Sequence, residues 1–139
     1  MTTKTTKKTS IPTDGLQFGR MNTKEGKAPF DQFKYDYRQS VIKKPDGSVV
    51  FEMNDVEVPE QWSQVATDLL AHKYFREAGV PPEDGSLGSE TYVKQTVHRL
   101  ADKWRYWGEK HGYFASTEDA QVVYEELVYS SLTQELSPN

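Results

Sequence analysis

Three histidines, His72, His98 and His111, are the side chains of this sequence best suited to move a proton or hold a metal near neutral pH. They fall on different predicted elements. No two stand four residues apart, the spacing at which a helix turns two imidazoles toward one zinc ion. The acidic pairs Glu57/Glu60 and Glu125/Glu126 could serve acid–base chemistry, but no apolar pocket is legible around them, and they read as solvated charge. His98 borders an apolar helix face and reads as a boundary histidine with satisfied hydrogen bonds. A Gly-x-Ser-x-Gly nucleophile turn and a dinucleotide-binding glycine pattern are both absent. The sequence has no cysteine, which removes thiol nucleophiles, thiolate metal sites and disulfides. No catalytic, metal-ligating or cofactor-binding set emerges, and the chain by itself is expected to bind no cofactor.

At 139 residues the chain has room for one domain with a modest core. A net charge of −4 with interspersed signs asks for neither nucleic acid nor an anionic membrane. No apolar run approaches the roughly 18 residues of a membrane span, and the first residues lack the apolar stretch of a signal peptide. A soluble, cytoplasmic protein is expected.

The elements that would position any site follow from periodicity. Residues 1–27 are rich in Thr, Lys and Gly without a period and read as a disordered arm. Its Lys4, Lys7 and Lys8 lack the aromatic neighbours of a nucleic-acid contact. Between about 34 and 54, Tyr35, Tyr37, Val41 and Ile42 precede a Pro45-Asp46-Gly47 turn, and Val49, Val50 and Phe51 follow it. This is a β-hairpin by propensity and turn chemistry. A helix over about 59–78 opens at Pro59 and carries Trp62, Val65, Ala66, Leu69 and Leu70 as an apolar stripe. The loop 80–88, VPPEDGSLG, lacks the spacing and the lysine of a phosphate-binding loop. The longest helical pattern covers about 89–110, with Ser89 as the expected N-cap and Glu90 near the positive end of the helix dipole. Val93, Val97, Leu100, Ala101, Trp104 and Trp107 share an arc of about 120° on it. Trp62, Leu69, Val97, Leu100, Trp104 and Trp107 are thus the expected core.

A last helix over about 117–136 is marked by Ser116 with Asp119 three residues on. Its apolar residues, among them Tyr124, Leu127, Val128, Leu132 and Leu136, project all round the axis. A helix apolar on every side expects burial on every side. Those five residues are therefore the expected docking surface for a partner. The fold class expected is α+β, mostly α: a hairpin followed by three helices behind a disordered arm.

Three runs carry a resemblance. PDGSVVFEMNDVEVPEQWSQVATDLLAHKYFREAGVP, GSETYVKQTVHRLADKWRYWGEKHGYF and DAQVVYEELVYSSLTQELSPN, covering about Phe33 to Asn139 in order, are similar to the N-terminal domain of class II, vitamin B12-dependent ribonucleotide reductases. Residues 28–139 would then be that domain. The resemblance implies a larger enzyme whose catalytic α/β barrel binds adenosylcobalamin and a ribonucleotide and makes deoxyribonucleotides for DNA synthesis by radical chemistry on cysteines. None of those cysteines is in this chain. It implies a non-catalytic segment that docks on a barrel chain, as one product of a divided gene or as a truncated remnant. The alternative is a stand-alone interaction or nucleic-acid-binding module derived from that domain, using the lysine arm and the hairpin tyrosines.

Overall fold

The turn at Pro45-Asp46-Gly47 closes as its residues require. Gly47 sits at φ 87°, where a side chain would be strained, and Lys44 N–H donates to the Ser48 carbonyl at 2.8 Å. A computed structural model of the protein, describing residues 14–80 and 88–136, places antiparallel strands β1 (Tyr35–Lys43) and β2 (Val49–Pro59) on either side of it. Register slips by one residue between the pairs Arg38/Val56 and Ser40/Met53, with Asp55 in the left-handed region at φ 56°. Beyond this bulge Val56 and Val58 are fully buried, while Val49 and Val50 near the tip face solvent.

Three helices follow. The first, α1 (Gln64–Leu69), is capped by Ser63, whose Oγ accepts from Ala66 N–H at 3.1 Å. It widens into a π-helical turn over Leu70–Tyr74, closed by Phe75 N–H on the Leu70 carbonyl at 3.0 Å. Next come α2 (Val93–Lys110) and α3 (Thr117–Leu132), packed on each other, and a short 3-10 turn at Pro29–Gln32 lies against α3. The architecture is the expected α+β one, a two-stranded hairpin then three helices.

Several boundaries differ from expectation, each for a local reason. Pro59 does not open a helix; it ends β2 opposite Tyr35. Ser89 is not the N-cap of α2. The Gln95 side chain accepts from Thr91 and Tyr92 N–H at 2.9 and 3.0 Å and sets the start four residues later. Glu90 is buried, taken by Arg99, Thr96 Oγ1 and Arg76 N–H. Lys4, Lys7, Lys8 and most of the 80–88 loop lie outside the described residues. Residues 14–27, expected as part of the disordered arm, are seated instead: Leu16 N–H donates to the Tyr113 carbonyl at 2.8 Å, and Ala115 N–H to the Leu16 carbonyl at 2.9 Å.

The core is built from Val56, Val58, Leu70, Ala71, Phe75, Val93, Val97, Ala101, Tyr124, Val128 and Leu132. Of the expected core, Val97 is buried and Trp62, Leu100 and Trp104 are half-buried, but Leu69 and Trp107 are 50% and 49% exposed. Trp107 stands near the C-terminal end of α2, and the buried residue beside it is Gly108, which lies so close to Phe114 that a Cβ would sit 2.2 Å from Cε2. Leu69 turns outward because the π turn directs Leu70 and Ala71 inward.

Candidate functional site

Expected docking residues Tyr124, Val128 and Leu132 are buried in the chain's own core, and Leu127 packs against it. From Asp119 to Thr133 every residue of the last helix is buried or half-buried. The chain itself covers α3 on each side. α2 packs along it, Phe33 meets the Tyr129 ring at 5.6 Å, and Trp62 Nε1–H donates to the Leu132 carbonyl at 2.8 Å. A segment running from Leu16 to Thr23 straps the remaining side. Of the five expected docking residues, Tyr124, Val128 and Leu132 are thus enclosed by this fold, Leu127 is half-buried, and Leu136, just past the helix, is 37% exposed.

The strap is held by carboxylates. Glu126 Oε1 accepts from the N–H groups of Met21, Asn22 and Thr23 at 3.0, 3.1 and 3.0 Å and from Thr23 Oγ1 at 2.6 Å. Asp119 Oδ1 accepts from Phe18 N–H at 2.7 Å, and Arg20 pairs with Glu125 and with Glu118. Burial pushes the Glu126 carboxyl up, but the hydrogen bonds from Thr23 and the Met21–Thr23 backbone outweigh it and hold the group below its ordinary range. Asp119 is held low by Ser116 and the Phe18 N–H. Glu125 and Glu126 are therefore structural anchors, not the solvated pair that their sequence suggests. No periodicity announces the strap, because its partners lie about a hundred residues away in the chain.

Glu57 also departs from expectation. It is buried, its Oε2 accepts from Tyr37 Oη at 3.1 Å and from Lys94 Nζ at 3.4 Å, and Oε1 has no partner. The hairpin tyrosines are engaged: Tyr35 Oη donates to the Phe30 carbonyl at 2.8 Å, with Lys94 over its ring. A carboxylate beside Tyr37 disfavours a phosphate backbone there. The three histidines stay apart. His72 meets the Phe51 ring, His98 Nδ1 lies 2.6 Å from Tyr124 Oη, and His111 stacks on Tyr113. Among the described residues no group of three or more His, Cys, Asp or Glu is placed to hold a metal, and no helix is long and apolar enough to cross a membrane.

One concave feature is apolar. A groove of about 180 Å³ runs between α1, α2 and the end of α3, lined by Trp62, Leu69, Leu70, Val97, Leu100 and Leu136. Of these, Leu69 and Leu136 are exposed, and the exposure of Leu69, expected in the core, was not legible from periodicity.

The family described as class II vitamin B12-dependent ribonucleotide reductase matches residues 36–134. Proteins named vitamin B12-dependent ribonucleotide reductase from Agrobacterium fabrum and Bradyrhizobium diazoefficiens are each 40% identical to this chain over 152 residues, covering 89% of it and 12% of their own length. One from Streptomyces clavuligerus is 38% identical over 128 residues, covering 91% of this chain and 13% of its own. The chain thus spans about an eighth of the length of the curated relatives it matches. Because the Streptomyces match leaves out only about 13 residues, it includes most of the 35 that precede the family match, and so takes in strap residues. The hairpin, the helices and the strap together belong to the N-terminal-domain family of class II, vitamin B12-dependent ribonucleotide reductases.

Proposed function

We propose that this chain is the non-catalytic N-terminal segment of an adenosylcobalamin-dependent ribonucleotide reductase, acting in the cytoplasm and docking on the catalytic portion that converts ribonucleotides to deoxyribonucleotides for DNA synthesis. The observation that carries the reading is 40% identity over 89% of this chain to reductases of which the match covers only 12%. The apolar groove does not fit the cofactor itself. The apolar groove, at about 180 Å³, is smaller than the roughly 300–1,000 Å³ typical of small-molecule sites. A chain without cysteine also cannot carry a thiyl radical or a redox thiol pair. Cobalt chemistry and reduction would be supplied by the rest of the enzyme, and this chain contributes a folded unit.

The test is a chimera in which this chain replaces the matching segment of the Agrobacterium relative. Cobalamin-dependent deoxyribonucleotide formation by the chimera supports the reading. A folded chimera without turnover, beside an active parent, rejects it. No observation favours the nucleic-acid module.

A further inference from the structure

Once α3 is covered by its own chain, the unpartnered apolar surface lies elsewhere. Leu69 is 50% exposed and Leu136 37%, and both line the groove whose wall includes Trp62 and Leu100. Val65 and Trp107, also largely exposed, belong to the two helices that form it. Contiguous exposed apolar surface is where an apolar partner gains from docking. Its volume limits the occupant: a cavity of roughly 150 Å³ takes one benzene ring, so about 180 Å³ suits a single aromatic or branched aliphatic side chain, not a nucleotide or a corrin.

Resting on the function proposed above, we infer that this α1–α2 groove, not the circumference of α3, is where the domain receives an apolar anchor residue from the catalytic portion of the reductase. Two observations select that occupant. About seven-eighths of each relative's length lies outside the matched segment, so a large body of the same protein must meet this domain. The end of α3 is itself part of the groove, through Ser131, Gln134 and Leu136, so chain continuing past α3 starts from its rim. Leu69 and Leu136 would close over the anchor, and Trp62 is already fixed by its bond to the Leu132 carbonyl.

The experiment uses the chimera and the isolated 139-residue chain, each with and without Leu69→Glu. In the chimera, amide exchange over residues 66–70 and 93–100 is expected to be at least tenfold slower than in the isolated chain. Leu69→Glu is expected to abolish that slowing and cut turnover by tenfold or more. The melting temperature of the isolated chain should stay within a degree or two, since Leu69 is half exposed. Val50→Glu, at the exposed hairpin tip, is the control and should leave the slowing and the turnover in place. A Leu69→Glu chimera that matches the unsubstituted one in exchange and turnover overturns the inference while leaving the functional reading intact. An isolated chain that sediments as a dimer broken by Leu69→Glu also overturns it, because the occupant is then a second copy. An unsubstituted chimera that is folded but inactive and unprotected removes the functional reading itself.

Discussion

Replacing Glu126 with Ala should detach the strap from α3. The carboxylate accepts four hydrogen bonds within 3.1 Å on one oxygen, from Met21, Asn22 and Thr23 N–H and Thr23 Oγ1. Met21 and Asn22 are exposed, so water can replace their acceptor at little cost; Thr23 is buried and loses a charged partner at both its groups. Hydrogen bonds to charged groups contribute about 1.5–3 kcal/mol each, so a loss of about 2–3 kcal/mol is expected after allowing for the open side of the site. At this chain length that lowers the melting temperature by about 10 °C. Glu126→Gln keeps an acceptor oxygen and should lose about half as much. The pH dependence has a definite sign. Glu126 and Asp119 are held below their ordinary values in the fold, so their contribution is complete above the unfolded carboxylate range and is lost as pH falls through the folded values. Thermal melts across pH 3–7, with limited proteolysis of the strap, read both effects. The acid-side decline should be shallower in Glu126→Gln, and cleavage between residues 14 and 24 faster. Equal melting temperatures and equal cleavage in all three proteins would refute the reasoning.

Glu90→Ala removes the acceptor of Arg99 Nε, Thr96 Oγ1 and Arg76 N–H; with Arg99 a third exposed and still bonded to the Tyr74 carbonyl, a loss of about 2–3 kcal/mol is expected as a lower urea midpoint with an unchanged slope. Gly108→Ala places a methyl 2.2 Å from the Phe114 ring and should cost about 1–3 kcal/mol by the same measurement, with Phe114→Leu in the same chain recovering part of it. Trp62→Phe removes the donor to the Leu132 carbonyl and should cost about 1–2 kcal/mol, read by chemical denaturation.

Where the sequence carried its own local signal, it was legible. The Pro45-Asp46-Gly47 turn and the Ser116 cap of α3 stand where turn and capping chemistry put them, because both depend on residues within a few positions of one another. The strap was not legible. Residues 16–23 have no period, and what orders them is a set of α3 carboxylates brought near by the fold. The apolar residues of α3 were read as needing a partner, whereas α2, Trp62 and Phe33 of this chain lie against the helix and enclose Tyr124, Val128 and Leu132. Trp107 and Leu69 were misplaced because a periodic arc gives angle alone: Trp107 stands near the C-terminal end of the uninterrupted α2, and Leu69 where α1 passes into a π turn whose Leu70 and Ala71 are buried.

The most direct measurement of the central claim is deoxyribonucleotide formation by the Agrobacterium relative carrying this chain in place of its own matching segment. Turnover that depends on added adenosylcobalamin, within about tenfold of the parent enzyme, is the outcome expected of a reductase N-terminal domain. A chimera that melts cooperatively, binds the cofactor as the parent does and makes no deoxyribonucleotide would contradict it.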